Sequence, residues 1–106
     1  MAEENQTFIA RSFIDLFVAP GATKPREPRN VIAARYELCE DMAQMLVDSA
    51  KATLFDLGVA ESDVLERVRR GLLVDGSCVT ADEAGWVVRR LAELLEWPAL
   101  AVGQNG

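Results

Sequence analysis

The sequence predicts an all-α protein: a compact four-helix bundle-like domain built on one long central helix, with a Pro-rich linker. Three observations predict it. Four segments repeat their apolar residues at helical spacing. The prolines fall outside those segments, with Pro20, Pro25 and Pro28 before the longest and Pro98 after the last. Residues 30–57 contain neither glycine nor proline, and Gly58 follows directly. At 106 residues the chain is expected to be one domain, 1–106.

Residues 7–18 form the first expected helix, with Phe8, Phe13 and Phe17 at spacings of five and four and Ile9, Ile14 and Leu16 between them. Residues 19–29, APGATKPREPR, are an extended linker whose prolines favour polyproline-like backbone. Asn30 is the expected N-cap of the long helix, 30–57. On it Ile32, Tyr36, Cys39, Ala43, Leu46, Ala50, Leu54 and Leu57 make one apolar row. Val31, Leu38, Met42, Met45 and Ala52 make a second, so the face is expected to serve more than one neighbour. A straight helix of that length spans about 42 Å, against about 33 Å for a globule of this size. The excess length is expected at a dimer contact. Gly58 suits the C′ position. Ser62 is the expected cap of a third helix, 62–73, with Val64, Leu65, Val68 and Leu72 inward. Thr80 and Glu83 spell a T-x-x-E capping box that opens the last helix, 80–96. Residues 1–6 and 98–106 read as loose tails.

Composition excludes several classes of chemistry. Seventeen acids against eleven bases give a net charge of −6, which repels phosphate backbones and anionic membrane surfaces. Neither nucleic acid nor membrane is an expected partner. The chain has no histidine, which removes the commonest general base and most zinc sites. No glycine precedes a lysine, so there is no P-loop, and no GxGxxG occurs. Asp75-Gly76 leads into a helix, but an EF-hand register would put Gly71 and Leu73 at ligand positions. Asp82 and Glu83 in the first turn of the last helix would face phosphates in a helix-turn-helix reading. Glu37, Glu40, Asp41 and Asp48 are carboxylates at metal-ligand spacing, but they read as the solvated face of the long helix. No cofactor and no metal is expected, and the chain is expected not to be an enzyme. Cys39 and Cys78 are too few and too far apart in sequence to suggest a disulfide framework. The opening residues MAEENQTF lack the basic and apolar regions of a signal peptide, and a cytoplasmic location is expected.

Two surfaces remain as candidates for binding. At about 100° per residue, Trp86 and Trp97 project, beside Arg90, from the side of the last helix nearly opposite its core face of Ala84, Val87, Val88, Leu91, Leu94 and Leu95. Tryptophan and arginine dominate binding hot spots, so these three are the expected partner-binding residues. Arg26, Arg29 and Arg35, in and beside the linker, are the candidate anion-binding set. Arg67, Arg69 and Arg70 read as a solvated cluster that complements the dipole at the end of the third helix.

Three segments carry a resemblance. They are Phe17-Val18-Ala19-Pro20-Gly21, the stretch from Pro28-Arg29 through Arg35-Tyr36-Glu37-Leu38-Cys39-Glu40-Asp41, and Trp86-Val87-Val88-Arg89-Arg90-Leu91-Ala92-Glu93-Leu94-Leu95. Together they cover about half of the chain. In them the chain resembles small proteobacterial proteins of unknown function often labelled "ATPase with chaperone activity". The resemblance implies a chaperone-like or adaptor role. The missing P-loop sets aside the ATPase half of that label. The expected function is a non-enzymatic protein-interaction or chaperone-like adaptor module acting as a homodimer. The alternative is a regulatory domain that binds a small anionic ligand through the Pro/Arg-rich linker.

Overall fold

The computed structural model describes residues 8–74 and 76–98. The fold is all-α and bundle-like, with a long central helix. The elements run α1 (Arg11–Ile14), a 3-10 turn (Asp15–Phe17), α2 (Arg29–Leu57), α3 (Glu61–Leu72) and α4 (Ala81–Leu95). Among the described residues no helix is long and apolar enough to cross a membrane. The expected tails at 1–6 and 99–106 lie outside the described residues. By its contacts the chain falls into two compact units, 1–38 and 39–106, divided within α2.

In the first unit the expected helix over 7–18 is shorter. It holds one α-turn and then tightens into the 3-10 turn, because Val18 leaves it in extended backbone (φ −107°, ψ 116°) ahead of Pro20. The buried row is Ile9, Phe13 and Phe17, at a uniform spacing of four, and Phe8 is 74% exposed. Phe13 is the centre. Its ring lies 5.5 Å from Phe17 and meets Tyr36 edge-on at 5.4 Å, an arrangement that adds to plain area burial.

The linker is folded back rather than extended. Pro20 and Gly21 (φ +81°) occupy the corners of a turn closed by the Ala22 N–H donating to the Ala19 carbonyl at 2.9 Å. That is type II turn chemistry, with proline at the second position and a positive φ at the third. The Arg26 N–H then donates to the Phe17 carbonyl at 2.8 Å, and the Arg26 guanidinium stands 5.6 Å from the Phe17 ring centroid. α2 starts at Arg29, one residue earlier than expected. The Pro28 carbonyl accepts from Val31 and Ile32, so Asn30 sits inside the first turn and not at the cap.

In the second unit Ala50, Val64, Leu65, Val88, Leu91 and Ala92 form the core, and Leu46, Leu54, Val68 and Leu72 pack around them. Full burial of each of the larger members stabilises the unit by about 1.5–3 kcal/mol. The alanines keep the helix backbones close, and Ala43, Ala50 and Ala84 are at most 1% exposed. α3 takes its N-cap at Ala60 with no side-chain cap, and Ser62 lies in the first turn. Glu61 and Asp63 at the start and Arg69 and Arg70 at the end match the helix dipole instead.

α4 opens on the expected capping box. The Glu83 N–H donates to Thr80 Oγ1 at 3.1 Å, and the Thr80 N–H to Glu83 Oε1 at 2.9 Å. It closes on a Schellman motif built without glycine. Glu96 adopts the left-handed conformation (φ 61°, ψ 35°) and donates to the Glu93 carbonyl, while the Trp97 N–H donates to the Ala92 carbonyl at 2.9 Å. That motif turns Trp97 back against the core. Gly58 (φ +64°) ends α2, its N–H donating to the Leu54 carbonyl at 3.0 Å. Neither cysteine is in a disulfide; Cys39 is wholly buried and Cys78 is exposed.

Candidate partner-binding face

The three side chains expected to meet a partner are held within the chain. Trp86 is only 4% exposed. α4 buries Glu83, Ala84, Trp86, Val87, Val88, Leu91 and Ala92, most of its circumference rather than one stripe. Trp97 is half-buried on the core through the Schellman turn. Arg90 forms a bidentate pair with Glu40 of α2: Nε donates to Oε1 at 2.8 Å and Nη2 to Oε2 at 3.0 Å. Its Nη1 also donates to Glu93 Oε1 at 3.1 Å. The Arg90 hydrogen bonds hold the Glu40 carboxyl below its ordinary value of 4.5, and Glu40 in turn raises the Arg90 guanidinium. Glu40 is therefore a clamp between α2 and α4, not part of the solvated face. Gln44 Nε2 adds a further hydrogen bond to it at 2.9 Å.

The candidate anion-binding arginines lie on two elements, Arg26 in the linker and Arg29 and Arg35 on α2. Arg26 is occupied over Phe17. Arg29 lines a cavity of about 230 Å³ with Glu27 and with the apolar side chains of Ile9, Ile14, Pro25 and Ile32. Arg35 follows six residues later on the same helix, which turns it about 120° away and moves it about 9 Å along the axis. In the third basic cluster, Arg69 makes two bonds to Glu66, at 3.2 and 3.0 Å, and Arg70 lies 3.5 Å from the same carboxylate. That pairing lowers the Glu66 carboxyl. Among the described residues no group of three or more acidic or cysteine side chains is placed to hold a metal ion.

Among the described residues, the outer face of α2 carries the two most exposed large apolar side chains. Ile32, Cys39, Ala43 and Ala50 of the first apolar row are buried, but Met45 of the second row is 77% exposed. Ala52 is exposed as well, and Phe55 is 88% exposed. Among the described residues the second row therefore has no neighbour along its C-terminal half, where Met45 and Ala52 are exposed. Asp41, Asp48 and Asp56 are exposed on the same face.

The apolar spacing sets Met45 in the second row, against a further neighbour, and leaves Phe55 out of both rows. A signal for Phe55 was present: it follows Asp48 by seven residues, and seven residues return to within about 20° on a helix. A residue one heptad from a solvated carboxylate shares its face. No family model, curated protein or solved structure matches this chain.

Proposed function

We propose that this chain is a non-enzymatic protein-interaction module, a chaperone-like adaptor that offers the outer face of α2 to a partner protein. The observation that carries the proposal is the exposure of Phe55 and Met45 at 88% and 77% on one helix face. Burying both on docking is worth roughly 3–6 kcal/mol before ordering costs, at about 1.5–3 kcal/mol per side chain. The resemblance to small proteins labelled with chaperone activity supports the same class of role. Trp86 is buried and Arg90 is paired with Glu40 inside the chain, so the reading rests on the outer face of α2 and not on the Trp86, Arg90 and Trp97 face.

Site-specific photo-crosslinking in cells that express the chain tests the proposal. A benzophenone amino acid at position 55 gives a discrete adduct of higher mass, and the same group at the exposed Asp63 of α3 gives none. Absence of any adduct from position 55 refutes the module.

A further inference from the structure

We infer that the occupant of the α2 face is a basic amphipathic helix of a partner protein, an inference that rests on the interaction-module reading above. At about 100° per residue, Asp41, Met45, Asp48, Ala52, Phe55 and Asp56 all fall within an arc of about 100°. All six are exposed. Lys51 lies outside that arc, and Gln44 at its edge is neutral. The arc thus combines two large apolar side chains with three carboxylates and no cation.

The shape of the face selects a helix. From Met45 to Phe55 the apolar ridge runs about 15 Å along the axis, or three helical turns. Ala52 between the two large side chains leaves a gap that takes a knob from a facing helix. An extended peptide gains no backbone hydrogen bonds here, because the backbone groups of a helix interior already bond one another and leave no edge for strand addition.

Charge selects a basic partner. None of Asp41, Asp48 and Asp56 is engaged by a described basic side chain. Lysines or arginines recurring about every seven residues on the incoming helix meet Asp41 and Asp48, which are seven residues apart. A second copy of this chain presents the same three carboxylates and a net charge of −6 against itself, so like charges oppose that occupant.

The test uses the full chain and two fluorescently labelled four-turn helical peptides, one with leucine and lysine in amphipathic order and one with every lysine replaced by glutamate. By anisotropy the lysine peptide binds about tenfold or more tightly than the glutamate peptide, and binding weakens as salt is raised. Phe55→Ser weakens the lysine peptide by about tenfold, the loss that one buried aromatic anchor accounts for. The paired change Asp48→Lys with Asp56→Lys reverses the preference between peptides. A charge-matched control, Asp63→Lys with Asp82→Lys on α3 and α4, leaves it in place. All of these positions are exposed, so circular dichroism is expected to show native helix content in every variant, with the control melting somewhat lower for the loss of two first-turn carboxylates.

Equal loss in the control and the face variant reduces the binding to bulk charge and overturns the inference, as does no binding of the lysine peptide. A crosslinked adduct from position 55 at twice the chain's mass assigns the face to a second copy and also overturns it. If position 55 crosslinks to a partner while the lysine peptide fails to bind, the basic helix is refuted and the interaction module stands. If both fail, both readings fall.

Discussion

Glu40→Gln separates the charge of the α2–α4 clamp from its shape. The substitution keeps the size of the side chain but removes the negative charge facing Arg90, leaving the exposed Glu93 as the carboxylate partner of that guanidinium among the described residues. The carboxylate and guanidinium side chains are 21% and 32% exposed, between a surface pair and a buried one. Exposed pairs contribute about 0.2–1 kcal/mol, and removing one partner of a fully buried pair costs about 3–5 kcal/mol. With bidentate bonds of 2.8 and 3.0 Å, a loss of about 2 kcal/mol at neutral pH is expected. For 106 residues, an unfolding entropy of about 2.1 cal/mol/K per residue turns that loss into a midpoint about 9 °C lower. Urea and thermal unfolding followed by circular dichroism measure it.

The pH dependence provides a second reading of the same clamp. Glu40's folded pKa lies below its ordinary 4.5, so its contribution is complete above 4.5 and is lost as pH falls through the lower folded value. Arg90 is shifted upward by the same pair and stays charged throughout the neutral and acid range, so of the two partners only Glu40 titrates there. The stability difference between wild type and Glu40→Gln is therefore full at neutral pH and closes below pH 4.5. A neutral-pH difference under about 0.5 kcal/mol, the level of an ordinary surface substitution, or a difference that persists unchanged into acid, refutes the clamp.

Two further outcomes follow from the core and from the end of α4. Leu65→Ala, at a position with no exposure in the second unit, lowers unfolding stability by about 2–5 kcal/mol in urea titration. Glu96→Gly relieves a left-handed residue that costs about 1–2 kcal/mol, offset by about 0.5–1 kcal/mol of extra unfolded-state freedom, and so raises the melting midpoint modestly. A lowered midpoint for that variant contradicts the cap geometry.

The sequence made local signals legible and left long-range ones hidden. The T-x-x-E box at Thr80 and Glu83 formed as read, because both halves of a capping box lie within one turn. The Schellman motif at Glu96 carried no such signal, since the usual marker is glycine and this chain uses glutamate. Ser62 and Asn30 were plausible caps displaced by neighbours: acidic first-turn residues open α3, and the Pro28 carbonyl opens α2. The Glu40–Arg90 pair joins residues fifty apart, and no local pattern announces it. Trp86 was misplaced because an apolar period shows which stripe of a helix is buried but not how wide the burial is. α4 is buried around most of its girth, so Trp86 is covered although Asp82, Arg89 and Glu93 on its back stay exposed.

The two cysteines differ as far as accessibility allows, with Cys39 sealed and Cys78 open. A thiol reagent added to the native chain therefore modifies one site at once and the second only when α2 opens around it. Where reclosing outpaces the reagent, the lag between first and second modification reports the free energy of that opening. The chain thus carries its own clock for the strain or relief that a partner on the outer face of α2 transmits to the buried face of the same helix.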